Sequence, residues 1–347
     1  STGGALATAK YDLAGAGTQD AALAIAGYAS PPTNATEEYN GTSWSGGGNL
    51  SAALFKLAGA GTQDAALAFG GTNYATGTLS SLTEEYNGTS WSGGGNLSTA
   101  RGYLGGAGTQ NAGLAFGGVL ATVNKSTCTE EYDGTSWSSG GAMVAPIQRL
   151  AGAGTQDAGL AFGGSGTTGT NVTCTEEYNS STTSTPIKTF DYDDTTGNIT
   201  VSGSSNFTGS MDVSGSAIIS TSIPGGGTPS WSTGGALSQA RYALGGAGTQ
   251  NAGLAFGGKG QVLGSAYSNC TEEYNGTSWS GGGDMAVGRN SLAGIGTQDA
   301  GLAIGGQINS GVVTCTEEYN GSSWSTGGAL QIARSSLAGA GTQDAGL

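Results

Sequence analysis

Paired glutamates are the most regular ionisable groups of this chain. Every glutamate lies in a Thr-Glu-Glu-Tyr motif, as in Glu37-Glu38 and Glu130-Glu131. Adjacent side chains of a strand point to opposite faces, and buried charges are normally paired. We therefore expect one carboxylate of each pair to meet a cation between strands and the other to face water. A carboxylate ring that binds a cation or a basic partner is the alternative. Catalytic carboxylates fit less well, because an active site breaks symmetry and these pairs repeat without variation.

Cationic residues recur in the same way. We assign seven of the ten lysines and arginines to one position of a repeat, which predicts a ring of cations beside the carboxylates. They are Lys10, Lys56, Arg101, Arg149, Arg241, Arg289 and Arg334.

Histidine is absent, which removes the commonest general base and the commonest transition-metal ligand. Each of the four cysteines directly precedes a Thr-Glu-Glu-Tyr motif, at a position where the first two copies have Ala35 and Leu82. A position that accepts Ala, Leu or Cys is a small apolar packing site. We therefore expect four free, buried thiols, no metal site and no cofactor. The cysteines are Cys128, Cys174, Cys270 and Cys315.

The overall charge excludes two classes of partner. A net charge of −14 with no basic stripe repels a phosphate backbone, so we expect no binding to nucleic acid. No apolar run approaches the length of a membrane span, so we expect no membrane insertion.

Short motifs recur along nearly the whole chain, which is typical of a repeat architecture. Gly-Thr-Gln begins at Gly17, Gly61, Gly108, Gly154, Gly248, Gly296 and Gly341. A tyrosine ends each Thr-Glu-Glu-Tyr motif and a tryptophan follows it. These structural repeat positions are Tyr39 and Trp44, Tyr86 and Trp91, Tyr132 and Trp137, Tyr178 and Trp231, Tyr274 and Trp279, and Tyr319 and Trp324.

The second copy predicts four short antiparallel strands. Two runs of small apolar residues, 57–60 and 65–69, flank a polar turn, and continuous apolar runs are typical of strands covered on both faces. The third strand is 83–86, Asn87-Gly88 is a strong hairpin signal, and the fourth strand is 90–92. Four such strands per repeat predict an all-β fold built from propeller blades.

Blade number and domain boundaries follow from the count of motifs. Seven copies of the first two strands but six of the last two favour seven blades, with six as the alternative. A Gly/Ser/Thr-rich segment interrupts blade 4, and its alternating pattern predicts short strands. The expected organisation is 1–179 for the first blades up to part of blade 4, 180–229 for the inserted β segment, and 230–347 for the rest of the same propeller. We expect the N-terminus to be a cut inside a repeat.

Each unit resembles a kelch repeat, with a basic residue, an apolar strand, a Gly-Gly pair and then a spaced Tyr and Trp. The pairs are Gly70-Gly71, Gly117-Gly118, Gly163-Gly164, Gly257-Gly258 and Gly305-Gly306, whereas the first copy has Ala26-Gly27. The array also resembles kelch-like repeats in virion proteins, such as tail fibres and appendages, of tailed marine bacteriophages. The resemblance implies a kelch-like β-propeller. It leaves function open, because kelch propellers serve as enzymes, adaptors and adhesins.

The loops after the Gly-Gly pairs differ from one unit to the next, and recognition usually lies in such loops. We therefore expect a non-enzymatic virion or surface protein that binds a host glycan or receptor protein. Its location would be the virion surface or the extracellular space, and its other partners would be virion or surface proteins and further copies of the chain. Candidate ligand-binding residues are Tyr28, Tyr74, Lys125, Lys259 and Tyr267.

Two other functions stay open. The first is a secreted propeller enzyme. A copper oxidase of the galactose-oxidase kind needs histidine ligands, which are absent. A glycosidase needs an asymmetric carboxylate pair, and Asp284 is the only framework acid that breaks the repeat pattern. The second is a protein-interaction scaffold, although no recruitment domain accompanies the repeats.

Overall fold

A computed structural model describes most of the repeat array and two strands of the insertion. The described residues are 6–18, 20–30, 33–121, 124–167, 169–180, 189–193, 198–202, 229–260, 267–330, 332–337, 339 and 341–343. Over these ranges the regular secondary structure is entirely β, as expected. Within the same ranges there is no helix long and apolar enough to cross a membrane.

Six four-stranded antiparallel sheets follow one another along the chain and form the blades of a β-propeller. The strands of blades 1 to 3 are Ala14–Thr18, Ala21–Ile25, Thr36–Tyr39 and Trp44–Gly46; Ala58–Gly61, Ala66–Phe69, Thr83–Tyr86 and Trp91–Gly93; and Gly105–Thr109, Ala112–Phe116, Thr129–Tyr132 and Trp137–Ser139. Those of blades 4 to 6 are Ala151–Gly154, Ala158–Phe162, Thr175–Asn179 and Ser230–Thr233; Gly245–Thr249, Ala252–Phe256, Thr271–Tyr274 and Trp279–Gly281; and Ala293–Gly296, Gly301–Ile304, Thr316–Tyr319 and Trp324–Thr326.

Short two-stranded ribbons lie outside the blades. Three of them join the segment before a first strand to the loop after a second strand, or lie within that loop: Leu54–Phe55 with Thr72–Asn73, Arg241–Tyr242 with Lys259–Gly260, and Gln307–Ile308 with Gly311–Val312. The insertion contributes Thr189–Asp193 paired with Asn198–Ser202, in agreement with the expected short strands. The rest of the insertion lies outside the described residues.

Small residues in the first strands allow neighbouring blades to approach closely. A Cβ added to Gly59 would lie 3.0 Å from the carbonyl oxygen of Gly15 in the preceding blade. The second strands carry the larger apolar groups, and Phe69 is fully buried against Trp137 of the next blade, with ring centroids 5.0 Å apart. The core is thus a series of inter-blade layers, which explains why apolar residues run continuously through the second strands.

The first glutamate of each pair is buried, and in four blades it meets the expected cation. Arg101 contacts Glu130 at 2.9 Å, Arg241 contacts Glu272 at 2.7 Å, Lys10 contacts Glu37 at 3.3 Å, and Arg289 pairs with Glu317. In blades 2 and 4 the structure differs, because Glu84 and Glu176 accept hydrogen bonds from backbone N–H groups instead of a cation. Burial raises the pKa of Glu176, and the N–H groups of Val144 and Ala145 partly offset this rise.

The second glutamate is partly exposed, in line with our expectation that it faces water, but in blades 1 to 5 it also contacts the next blade. Its carboxylate accepts a hydrogen bond from the buried tyrosine of that blade, for example Glu131 from Tyr178 Oη at 2.6 Å. The glycine after each fourth strand makes room for this contact: a Cβ on Gly47 would lie 2.7 Å from Tyr86 Oη. The glutamate pairs therefore stabilise the interfaces between blades.

Two further expectations need correction. The described residues contain six four-stranded blades, which was the alternative count, and not the preferred seven. The four cysteines are free, as expected, but they are partly exposed and not fully buried. They lie directly before the third strands.

Candidate functional site

One residue in each unit, just before the first strand, has a left-handed backbone although it is not glycine. The φ angles of these residues lie between 50° and 59°. We call the set the mouth ring: Asp12, Lys56, Tyr103, Arg149, Ala243, Ser291 and Ser336.

Backbone hydrogen bonds link neighbouring residues of the mouth ring at six of the seven junctions around the central axis. The N–H of Lys56 donates to the carbonyl of Asp12 at 2.9 Å, and the N–H of Tyr103 donates to that of Lys56 at 3.0 Å. The chain of bonds also joins its last and first members, since Asp12 N–H donates to the carbonyl of Ser336 at 2.9 Å. Ser336 belongs to the seventh copy of the motif, so seven units surround the axis at this level, although six are complete blades.

These bonds use backbone atoms alone, and this leaves the side chains free to vary. A left-handed conformation costs an L-residue about 1–2 kcal/mol, so each unit retains a strained backbone that the ring over-determines. The side chains nevertheless span a carboxylate, two cations, a phenol, a methyl and two hydroxyls. A constant backbone that carries varied polar side chains around an opening is a typical arrangement for a recognition site.

Two of the seven cations assigned to one repeat position occupy a different one. Leu54 and Ile147 take the buried position of Arg101 in blades 2 and 4, with 2% and 1% exposure. Lys56 and Arg149 lie two residues later, in the mouth ring. The expected single ring of cations is therefore wrong: buried cations pair with glutamates, while these two cations reach the opening.

The charged part of the mouth ring is concentrated on units 1 to 4. Two cations contact the ring of Tyr103. Lys56 Nζ lies 4.7 Å from the ring centroid, and the guanidinium of Arg149 lies 4.3 Å from the same centroid. Arg149 also donates to Tyr103 Oη at 3.0 Å. Burial raises the pKa of Asp12, and the nearby charges of Lys56 and Arg149 counteract part of this rise. The result is a mixed acidic, basic and aromatic wall.

A cavity of about 490 Å³ lies inside the mouth ring. The seven ring residues and the leucines that follow six of them line it, together with Tyr11, Tyr242 and Asn290. Its volume falls within the range of small-molecule sites, about 300–1,000 Å³. Polar side chains and leucines therefore line this cavity together.

Four aromatic side chains form a cluster beside this cavity. Tyr28 lies at its centre, with ring centroids 5.0 Å from Tyr11, 5.5 Å from Phe55 and 5.6 Å from Tyr74. Tyr11 and Tyr74 are exposed over 46% and 44% of their surface. We call this set the aromatic cluster. The pKa of Tyr28 is raised, mainly by the neighbouring phenol of Tyr74 and secondly by desolvation.

The variable loops start at the rim of the cavity. In each of six units the residue before the mouth-ring residue pairs with the first residue after the glycine pair, or after Ala26-Gly27 in the first unit. These pairs are Tyr11 with Tyr28, Phe55 with Thr72, Gly102 with Val119, Gln148 with Ser165, Tyr242 with Lys259 and Asn290 with Gln307. The loops and the mouth ring therefore belong to one face, which we call the loop face.

The five candidate residues fall into three groups. Tyr28 and Tyr74 meet in the aromatic cluster. Lys259 lies over the ring of Tyr267, 5.5 Å from its centroid, and pairs by backbone with the cavity residue Tyr242. Lys125 pairs by backbone with Val119 in its own loop. Most of the loop between Lys259 and Tyr267 lies outside the described residues.

Sequence reasoning missed Tyr11, Phe55, Lys56, Tyr103 and Arg149, which all surround the cavity or join the aromatic cluster. The available signal was the leucine that precedes each first strand. Counting back one residue from that leucine gives Asp, Lys, Tyr, Arg, Ala, Ser and Ser, which is a variable position inside a constant frame. Among the ranges that the structure describes, no group of three or more His, Cys, Asp and Glu side chains is arranged to hold a metal ion.

Comparison with known proteins supports the architecture. No family model matches the chain, and no curated protein matches it significantly. Among solved structures, one described as "Structure of YjhT" aligns with a TM-score of 0.66 and 13% sequence identity, over 92% of this chain and 97% of that one. At this identity the likeness shows the fold alone: the chain is a β-propeller with a solved structural neighbour of nearly the same extent.

Proposed function

We propose that this protein is a non-enzymatic recognition protein whose loop face binds a surface glycan. The observation that carries the proposal is the aromatic cluster next to the mouth-ring cavity. Exposed phenol rings offer apolar faces and polar edges at low entropic cost, and the cavity beside them presents carboxylate, cationic and hydroxyl groups. A sugar ring needs both an apolar platform and convergent hydrogen-bonding groups.

The proposed context is a virion fibre, appendage or decoration protein that attaches to a host surface. Repeated kelch-type units, an acidic surface and variable loops on a constant frame support this role, because they give a soluble scaffold whose specificity can change without refolding. In this proposal the symmetric features stabilise the propeller, while units 1 to 4 of the loop face carry the specificity.

A glycan-binding assay tests the first part. We would screen the protein against a panel of purified bacterial surface polysaccharides and measure the best binder by calorimetry. The double variant Tyr28→Ala/Tyr74→Ala should weaken binding about tenfold or more, since each aromatic contact is worth about 0.5–1.5 kcal/mol. Val312→Ala is the matched control: Val312 is 47% exposed in the corresponding loop of blade 6, away from the cluster, and its loss should change little.

Two results would contradict the proposal. No saturable binding to any polysaccharide of the panel would rule out glycan binding. Unchanged affinity in the double variant would rule out the aromatic cluster as the binding site. Immuno-electron microscopy with mass spectrometry of purified particles tests the context, and the absence of the protein from every particle and cell surface would rule out the virion role.

A further inference from the structure

Two cations at the mouth ring differ from those of the scaffold in having no carboxylate partner. In the described residues, four lysines and arginines form ion pairs, each with a buried glutamate: Lys10, Arg101, Arg241 and Arg289. Over the same part of the chain, no carboxylate lies within 4.0 Å of the cationic group of Lys56 or Arg149. In a chain of net charge −14, the ion pairs of the scaffold do not account for these two charges.

Aromatic rings hold both cations without neutralising them. Lys56 Nζ lies 4.6 Å from the ring centroid of Phe55 and 4.7 Å from that of Tyr103. The guanidinium of Arg149 lies 4.3 Å from the Tyr103 centroid and donates to Tyr103 Oη at 3.0 Å. The faces of aromatic rings attract cations, but they carry no net negative charge. Two positive charges therefore converge on one phenol ring and remain uncompensated.

The backbone fixes these residues in consecutive units of the mouth ring. Tyr103 N–H donates to the carbonyl of Lys56 at 3.0 Å, and Arg149 N–H donates to that of Tyr103 at 3.1 Å. All three residues belong to blades 2 to 4, and the four-stranded sheets of these blades and of blades 1 and 5 are complete. A site whose backbone is fixed before binding loses little entropy when a ligand arrives. We call Lys56, Tyr103 and Arg149 the cationic subsite.

The one acid of the mouth ring does not cancel this charge. Burial raises the pKa of Asp12, and the charges of Lys56 and Arg149 counteract part of the rise, so the carboxyl group is near both cations. Within the described residues it nevertheless forms an ion pair with neither of them. Two cations and one acid leave this wall of the cavity with a net positive charge, which favours an anionic ligand.

The cationic subsite joins the aromatic cluster to the cavity. Phe55 belongs to the aromatic cluster, with its ring centroid 5.5 Å from that of Tyr28, and Lys56 lies over the Phe55 ring. Lys56, Tyr103 and Arg149 also line the cavity of about 490 Å³. Lys56 and Tyr103 are half-buried and Arg149 is exposed, so a ligand can reach all three. A sugar that stacks on the aromatic cluster would therefore have the two cations beside it.

We propose that the glycan bound by the loop face is acidic, and that Lys56 and Arg149 bind an oxyanion group that it carries, a carboxylate or a phosphate. This inference rests on the proposed function, because it names the class of glycan that the same face recognises. The planar guanidinium of arginine can donate two parallel hydrogen bonds to an oxyanion, and the ammonium group of lysine adds a compact positive charge. A neutral sugar would leave both cations without a partner.

Monosaccharide probes test the cationic subsite apart from any polysaccharide. We would titrate the whole chain with glucuronate, glucose phosphate and glucose, and follow binding by ligand-observed nuclear magnetic resonance. At least one acidic sugar should bind about tenfold more tightly than glucose, a difference of about 1.4 kcal/mol. The difference should shrink in about 1 M salt, where the screening length is about 3 Å. Preference for glucuronate would assign a carboxylate, preference for glucose phosphate would assign a phosphate, and equal affinity for all three probes would overturn the proposal.

Variants of the two cations and of the acid should act in opposite directions. Lys56→Met and Arg149→Gln should each weaken binding of the preferred acidic sugar about tenfold and leave that of glucose unchanged, whereas Lys56→Arg should retain most of the affinity. These variants should fold, because the same ring position holds Ala243 and Ser291 in other units. Asp12→Asn should strengthen binding of the acidic sugar a few fold, since it removes a negative charge beside the subsite. A purely structural role of the cations predicts no such gain.

The matched control is Asn275→Asp, which makes the chain more negative by one charge, as Lys56→Met does. Asn275 lies in the turn after a third strand, at the opposite end of that strand from the loop face. Asp133 occupies the same place in blade 3 and accepts the same two backbone hydrogen bonds, so the turn should be kept. The control should leave the affinity for acidic sugars unchanged. An equal loss in Asn275→Asp and Lys56→Met would indicate a general charge effect and overturn the proposal.

Failure of this inference is distinguishable from failure of the proposed function. If a neutral polysaccharide binds as tightly as any acidic one, and Tyr28→Ala/Tyr74→Ala weakens it, the loop face binds glycans but the acidic class is wrong. If no polysaccharide binds, the proposed function is wrong, and the monosaccharide titrations still decide whether Lys56 and Arg149 bind an oxyanion.

Discussion

Replacing Arg101 with leucine should destabilise the propeller strongly at neutral pH and weakly in acid. Arg101 is fully buried. Its guanidinium contacts Glu130 at 2.9 Å and donates to the carbonyls of Gly117, at 3.2 Å, and Cys128. Glu130 is 1% exposed and would keep only the N–H of Ser98, at 2.7 Å, and the thiol of Cys128, at 3.8 Å. Removing one partner of a buried ion pair costs about 3–5 kcal/mol, because the other charge stays buried without compensation.

The pH dependence follows from Glu176, which lies at the same place in blade 4 under Ile147 and has a pKa raised by burial. In Arg101→Leu the Glu130 carboxylate loses its cation, so burial disfavours its charged form relative to the unfolded chain. The folded state then binds a proton more tightly than the unfolded state, so stability falls as this carboxyl group ionises with rising pH. The deficit should be small near pH 4 and complete at pH 7.

Urea denaturation at pH 4 and pH 7 measures this effect. Arg149→Leu is the control, because its guanidinium stacks on Tyr103 at the mouth ring and should contribute less than about 1 kcal/mol. The double variant Arg101→Leu/Glu130→Leu should recover most of the loss, since apolar replacement of a whole buried pair is often neutral. A loss below about 1 kcal/mol at pH 7, or an equal loss at both pH values, would refute the reasoning.

Three further outcomes are expected. Tyr86→Phe should cost about 1.5–3 kcal/mol in urea denaturation, because it removes a hydrogen bond to a carboxylate. Tyr39→Phe should cost under about 0.5 kcal/mol, because within the described residues the hydroxyl of Tyr39 donates no hydrogen bond; equal costs would contradict the inter-blade role. Burial, helped by the bonds to glutamate, raises the pKa of Tyr86, Tyr274 and Tyr319 to about 12. The buried tyrosines therefore contribute their full stability below pH 10, and this contribution should decline as pH rises towards 12. Unfolding followed by circular dichroism measures the decline, and constant stability over that range would contradict the prediction. Burial raises the pKa of Cys128, Cys174 and Cys270, so a thiol reagent should react slowly with the native chain and rapidly in denaturant. Equal rates would contradict this.

The blade architecture was predictable because it is written within single repeats. Alternation of apolar runs, turns and the Tyr–Trp spacing is local, and the structure pairs Tyr178 with Trp231 across the whole insertion as it pairs Tyr86 with Trp91. The partners between blades were not predictable in this way. Spacing along the chain does not reveal that the second glutamate accepts from a tyrosine one repeat later, because every copy offers the same residues and nothing local orders the blades.

The candidate site was predictable only in part, for a reason of register. Tyr28 and Tyr74 stood out because they lie in loops whose length varies, and the structure places them together. The position of Lys56 and Arg149 was misassigned because the repeats were aligned by residue type. In that alignment these two cations look equivalent to the buried cations of other units, although they lie two residues later. Aligned by the leucine that follows, they occupy the left-handed position, and Leu54 and Ile147 occupy the buried one.

The mouth ring combines a constant backbone conformation with side chains that vary from unit to unit. Its hydrogen bonds run through backbone N–H and carbonyl groups, so they tolerate a carboxylate, an ammonium, a phenol or a methyl as the side-chain group. The buried pairs beneath it have no such freedom, since each cation is tied to one glutamate and to nearby carbonyls. Substitution at the ring can therefore alter what the cavity contacts at little cost in stability. Substitution one layer below alters stability without reaching the cavity. For this reason we propose the ring and its loops, and not the more regular glutamate pairs, as the place of recognition.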